Sequence, residues 1–262
     1  MDVALCAFGT SVLAFNAKEG SMNALEAKKL NAAYQTGKVK SEVLKDFSLA
    51  VGKGAFEALM GPSGSGKSTF LHIASGLLSS ASGELFVDGA DVTKMSDSKA
   101  AKFRRTHMGV VFQDFNLVET LSVAENIVLP ARLDREKPDL KRLAELVALL
   151  GLEGKENRKP AELSGGERQK TAIARALFRK PGIVLADEPT GNLDVKSSQS
   201  ICALLGELNK REDSAILLVT HDPVVAAVAD KVHFLKDGAI AASFDTEHDA
   251  AKISARYLET YN

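Results

Sequence analysis

GPSGSGKST, residues 61–69, is the stretch on which the fold turns. Gly61 to Ser68 fits GxxxxGK[ST], a pattern that needs a strand before it and a helix after it. Both can be read. AFEALM (55–60) enters it as a short apolar strand, in which Glu57 is expected to face outward, and FLHIASGLL (70–78) leaves it as an apolar helix. Glycines let successive backbone N–H groups turn toward a phosphate chain, and the start of the helix adds partial positive charge. Lys67 supplies a point charge for terminal phosphates and Ser68 a hydroxyl for Mg2+. A flexible Gly/Ser turn is the bland alternative, and the strand-loop-helix setting argues against it.

Working outward, VLKDFSLAV (43–51) reads as a further strand. IVLA (183–186) and AILLV (215–219) are continuous apolar runs of strand length, the pattern of strands buried on both faces of a parallel sheet. Short apolar runs alternating with helical patterns give an α/β fold class. Both runs end in polar residues: Asp187 and Glu188 after the first, Thr220, His221 and Asp222 after the second. Ligands gather at the carboxyl ends of such strands, so these groups share an edge with the phosphate loop. There Asp187 can hold the hydration shell of Mg2+ and Glu188 can polarise an attacking water, which suits hydrolysis better than transfer to a bound acceptor. His221 stands where it can reach the terminal phosphate or the water. His72, His107, His233 and His248 have no such placement and are expected to be structural or solvated.

Residues 119–151 differ, with helical spacing in Leu140, Leu143, Val147 and Leu150. A helical insert over about 114–165 is expected. Just behind it, LSGGERQK (163–170) places a Ser and two glycines ahead of a helical run. A hydroxyl and bare backbone N–H groups at a helix start make an anion site. With a complete phosphate site already at Gly61 to Ser68, a second one implies a second phosphate source.

The 262 residues, 45% hydrophobic and 26% charged, are ordinary globular material for one domain, or one with a subdomain. A formal net charge of -1 shows no overall basic excess, and no nucleic-acid partner is expected. Cys6 and Cys202 form no CxxC, which excludes a disulfide framework or zinc ribbon and fits a reducing compartment. VALCAFGTSVLAF (3–15) is too short to span a bilayer and lacks the positive flank of a signal peptide. Residues 1–24 are expected to be a leader or loose tail, with Met22 a candidate working start.

The order GPSGSGKS at 61, Gln113 in VVFQDF, LSGGERQ at 163, IVLADEP at 183, GNLD at 191 and THD at 220 closely resembles the nucleotide-binding subunit of ATP-binding cassette (ABC) transporters. The likeness covers about residues 28–240. Within the family, ADEPTGNLD and FQDFNLVETLSVAENIVLP look like the macrolide-export, lipoprotein-release and FtsE-type group. The resemblance implies a P-loop NTPase (RecA-like) core with a mainly parallel sheet over 25–113 and 166–262. It also implies an antiparallel β subdomain near the N-terminus and an inserted helical subdomain over 114–165.

It further implies ATP and Mg2+ as cofactors and ATP hydrolysis as the activity. Tyr34 matches the aromatic that stacks on adenine. Gly61, Pro62, Ser63, Gly64, Ser65, Gly66, Lys67, Ser68 and Thr69 match the phosphate cradle, and Gln113 the residue that touches Mg2+ or water and relays movement to the insert. Glu188 matches the general base, Asp187 a metal ligand with Ser68, Asp194 the D-loop acid and His221 the switch histidine. Ser164, Gly165 and Gly166 match the signature that binds the terminal phosphate held by an opposite subunit. The implied partners are a second copy, head to tail, and integral membrane permease subunits, placing the chain peripherally on the cytoplasmic face of the membrane, in export or release. The rivals are an FtsE-like regulator that moves no solute and a non-transport ATPase of DNA or ribosomes. Two departures stand out: Ala55, Phe56 and Glu57 follow Gly54 where Gly-Glu is usual, and Lys170 and Thr171 follow the signature. Both are expected to lie away from the chemistry.

Overall fold

A strand whose residues are all apolar needs a hydrophobic layer on each face, and the computed structural model, which describes residues 23–36 and 39–261, supplies both. The side chains of 34–40 lie outside that description. The chain enters through two long antiparallel strands, β1 (Asn23–Thr36) and β2 (Val39–Gly52), then passes into β3 (Phe56–Met60) and the helix α1 (Lys67–Ala74). It returns to the first sheet as β4 (Ser82–Val87) and β5 (Ala90–Asp91), then continues through α2 (Asp97–His107) into β6 (Met108–Val111). Helices α3 (Val123–Leu133), α4 (Leu140–Leu149) and α5 (Gly165–Leu177) come next. The remainder alternates: β7 (Ile183–Asp187), α6 (Val195–Glu212), β8 (Ala215–Thr220), α7 (Pro223–Ala226), β9 (Lys231–Lys236), β10 (Ala239–Asp245) and α8 (Ala250–Tyr261).

The larger sheet has the order β10-β9-β3-β8-β7-β6, parallel throughout except for β10 at its edge. Its strands obey the period of two. Val184, Ala186, Ile216, Leu218 and Phe234 face one core, shared with α3, α4, α5, α6 and α8. Ile183, Leu185, Leu217, Val219 and Leu235 face the other, shared with α1, α2 and the smaller antiparallel sheet, order β2-β1-β4-β5. The architecture is the α/β core with an antiparallel subdomain and added helices.

Several local expectations need correcting. Residues 23 and 24, expected in the leader, open β1; residues 1–22 lie outside the described ones. Glu57 does not face outward: its side chain is 11% exposed, with Oε2 2.7 Å from Nε2 of His233, whose Nδ1 is 2.7 Å from Ser243 Oγ. The helix expected over 70–78 stops at Ala74, because the backbone turns left-handed at Gly76 (φ +65°). Val147 of α4 and Leu150 just past its end are buried, whereas Leu140, at the first turn, is 68% exposed. The buried Arg142 ties that helix to the core through Glu212 of α6 and the carbonyl of Leu177.

Candidate active site

The phosphate loop sits in a cleft of about 720 Å³ lined by Pro62, Ser63, Gly64, Gly66, Lys67, Ser68 and Thr69, with Gln113, Glu188 and His221 opposite. Gly66 precedes α1 with φ +107°, and a Cβ there would meet the carbonyl of Val43 at 2.9 Å, so only glycine fits. Gly61 is held for a different reason: a Cβ would stand 2.6 Å from the carbonyl of Leu235. No side chain caps α1, which leaves its first N–H groups aimed at the cleft. Behind them, Ser65 Oγ is buried without a hydrogen-bond partner among the described residues. An uncapped helix start with an orphaned hydroxyl fits a polyanion.

Lys67 is buried, and Nζ donates to the carbonyls of Gly61 (2.8 Å) and Pro62 (3.0 Å). Burial lowers its pKa from the usual lysine value, against the pull of Glu188 and Asp187. Across the cleft, Ser68 Oγ donates to Asp187 Oδ1 at 3.2 Å. Burial raises the Asp187 carboxyl above its ordinary range despite that bond. Two hard oxygen donors side by side, one a carboxylate disfavoured without a counter-charge, fit Mg2+.

Glu188 is where β7 breaks. Its φ of +43° lies in the left-handed region, and its N–H is held by the carbonyl of Val219 at 2.9 Å. That costs about 1–2 kcal/mol in an L-residue with a Cβ. The turn swings the side chain to β8: Oε2 accepts from Thr220 Oγ1 at 3.3 Å and Oε1 lies 2.8 Å from His221 Nδ1. With its proton on Nδ1, His221 donates to the carboxylate and fixes its direction. Thr220 had been read as a polar strand end only; its part in holding Glu188 depends on a register between β7 and β8 that no local pattern carries.

Gln113 follows β6 and reaches the cleft from the side of the insert. Two anchors hold its loop. Asn192 Nδ2 donates to the Gln113 carbonyl (3.1 Å) and to Asp114 Oδ1 (2.9 Å), and Arg175 of α5 donates to the carbonyls of Asn116 (2.6 Å) and Phe115 (2.9 Å). Phe115 and Asn116 both have positive φ, so the guanidinium clamps a strained turn. Burial pushes that guanidinium down to about 10, still a cation at neutral pH.

Ser164, Gly165 and Gly166 do not join this cleft. Ser164 and Gly166 line a separate depression of about 280 Å³ with Lys155, Lys170, Lys196 and Ser197. Ser164 caps α5: its Oγ accepts from Glu167 N–H (3.3 Å), while its own N–H is taken by Glu167 Oε2 (2.9 Å). The expected set of bare N–H groups therefore shrinks to those of Gly165 and Gly166. Lys155 neutralises the capping carboxylate at 2.7 Å. Lys170, expected away from any anion site, lines this one. Asp194 lines neither hollow and caps α6 through Ser197 N–H and Oγ (3.0 and 2.6 Å). Tyr34 lies in β1 by its backbone, and its side chain is outside the described residues. Val43 of β2 and Tyr257 of α8 also line the cleft; no motif marked either.

Known proteins resemble this chain over most of its length. The family model described as ABC transporter matches residues 44–191. The ABC transporter ATP-binding protein YxdL of Bacillus subtilis (strain 168) is 45% identical over 218 residues, covering 82% of this chain and 84% of that protein. The bacitracin export ATP-binding protein BceA of Halalkalibacterium halodurans is 39% identical over 222 residues, 84% of this chain and 87% of that one. Among solved structures, the dimeric post-hydrolysis state of the ATP-binding cassette MJ0796 bound to ADP and Pi superposes with a TM-score of 0.78 at 37% identity. It covers 85% of this chain and 99% of that chain.

Proposed function

The chain belongs to the ABC transporter family as an ATP-binding subunit with ATPase activity, and from that premise we propose that two copies close head to tail around two ATP to drive a membrane permease. The observation that carries this reading is the separation of the two hollows. Lys67, Ser68, Gln113, Glu188 and His221 line one, whereas Ser164 and Gly166 line another. The signature of the same chain lines a different hollow from the one that would take a γ-phosphate. A second copy supplies the signature, as the dimeric MJ0796 cassette supports.

In this reading the terminal phosphates of ATP replace the carbonyls of Gly61 and Pro62 as acceptors for Lys67, while the N–H groups at the start of α1 cradle the chain. Ser68 and Asp187 would hold Mg2+, with Gln113 beside them, and the ion would supply charge neutralisation at the β- and γ-oxygens. Glu188, aimed by Thr220 and His221, takes a proton from the attacking water as its oxygen bonds to the γ-phosphorus and the bond to the β-phosphate oxygen breaks. Loss of the γ-phosphate removes the contacts from Ser164, Gly165 and Gly166 of the opposite copy, and the pair opens. Asp194, at the start of α6 beside the signature helix, belongs to the closing surface, and Tyr34 to the adenine end.

Among the described residues no helix is long and apolar enough to cross a membrane. In this reading the permease is a separate partner and the chain works peripherally on the cytoplasmic side, which the naming of the relatives as ATP-binding proteins supports. Residues 114–165 act as the helical subdomain that carries motion from Gln113. The name of the BceA relative supports export, with the macrolide-export and lipoprotein-release group as the wider setting. The test is Glu188→Gln: ATP binding is retained, turnover falls by about 10²–10⁴, and size exclusion with ATP shows a trapped dimer. A variant that hydrolyses at the wild-type rate, or binds ATP and stays monomeric, refutes the reading.

A further inference from the structure

The last helix carries an aromatic side chain to the hydrolytic cleft. On α8, Ile253, Tyr257 and Tyr261 recur every fourth residue and form its inward face. Ile253 is fully buried in the core. Tyr257 meets Phe234 edge-on at 5.7 Å and Tyr261 at 4.3 Å. Tyr261 donates to the carbonyl of Leu235 at 2.8 Å, and Lys236 Nζ donates to the carbonyl of Thr260 at 2.6 Å. The Leu235 carbonyl is the same one that leaves no room for a Cβ at Gly61. Helix, strand β9 and the first residue of the phosphate loop are thus one packed wall.

Tyr257 lines the cleft together with Pro62, Ser63, Lys67, Glu188 and His221. Its ring is spoken for by Phe234 and Tyr261, whereas its hydroxyl has no hydrogen-bond partner among the described residues. Burial raises the phenol above its ordinary pKa, which keeps the proton in place. A neutral phenol beside a phosphate site can donate one hydrogen bond to an anionic oxygen.

We infer that Tyr257 is a nucleotide-contacting residue, its hydroxyl donating to the terminal-phosphate end of bound ATP, so that α8 forms one wall of the hydrolytic cleft. This rests on the reading that the terminal phosphates lie between Lys67 and Glu188. The contact distinguishes ATP from ADP, since only ATP places a phosphate there.

The experiment titrates AMPPNP and ADP, each with Mg2+, into wild-type, Tyr257→Phe, Tyr261→Phe and Lys67→Ala proteins by calorimetry. Tyr257→Phe keeps the ring contacts and loses only the hydroxyl. It is expected to bind AMPPNP about tenfold more weakly, the worth of one hydrogen bond to a charged acceptor, with ADP affinity unchanged. Tyr261→Phe, which loses the bond to the Leu235 carbonyl, is expected to keep the wild-type ratio of the two affinities. Equal weakening of both nucleotides by Tyr257→Phe, no weakening of either, or the same loss of ratio in Tyr261→Phe overturns the inference. If Lys67→Ala binds AMPPNP as the wild type does, the reading of the cleft fails and the inference falls with it. If Lys67→Ala loses binding and Tyr257→Phe does not, only the role of Tyr257 falls.

Discussion

Replacing Glu57 by Leu should unfold this protein at a lower temperature without touching its chemistry. Glu57 and His233 have side chains 11% and 5% exposed and meet across 2.7 Å, on the face of the sheet that carries Leu59, Leu217 and Leu235. Glu57→Leu roughly conserves volume and leaves Nε2 of His233 buried without a partner, which costs about 1–3 kcal/mol. At about 2–4 °C per kcal/mol for a chain of this size, a midpoint of ~2 kcal/mol lowers Tm by about 4–8 °C. The reverse change, His233→Leu, strands a carboxylate and costs more, about 3–5 kcal/mol. The double variant strands neither buried charge, leaves only the exposed Ser243 hydroxyl to water, and recovers most of the loss, giving a coupling energy of about 2 kcal/mol or more. Thermal melts at one scan rate measure all four proteins. ATPase at low temperature serves as the control and should stay within about twofold of wild type, because neither Glu57 nor His233 lines the cleft. Singles that melt with the wild type, or losses that simply add in the double variant, would refute the reasoning.

Two further outcomes test the two ends of α5. Ser164→Arg removes the hydroxyl that accepts from Glu167 N–H, worth about 1 kcal/mol in a melt, and places a bulky cation where the proposed dimer would seat the γ-phosphate of the other copy. ATPase should lose its cooperativity in ATP while the monomer still binds nucleotide, and normal turnover in the purified variant would sink the shared site. Arg175→Lys cannot span the carbonyls of Phe115 and Asn116 as the guanidinium does. A loss of about 1–3 kcal/mol in melting is expected, with slower turnover because the loop bearing Gln113 loosens; unchanged melting and turnover together would show that the clamp carries nothing.

The phosphate loop was legible because its motif encodes backbone geometry: Gly66 is required by a positive φ and a carbonyl at 2.9 Å, and both leave their mark in the residue type. IVLA and AILLV were legible because burial on two faces admits nothing polar. What escaped depended on partners distant in sequence. Glu57 finds its acceptable environment in His233, 176 residues away, and no window around AFEALM contains that information. The strand β1 escaped because its register with β2 shifts between Ala27 and Leu30 and again after Leu30, which breaks the alternation that would announce it. Ser164 was read as open because LSGG shows the glycines, whereas the carboxylate that takes its N–H arrives only when α5 folds. Tyr257 belongs to an apolar stripe, and nothing in such a stripe tells which member ends at a cleft.

The left-handed backbone at Glu188 also decides what a substitution there would measure. Glu188→Gly would relax the torsion and delete the carboxylate together, so a gain in melting temperature and a loss of turnover would arrive as one inseparable change. Glu188→Gln keeps the Cβ and with it the torsion, so its loss of turnover reads the carboxylate held by Thr220 and His221 and nothing else.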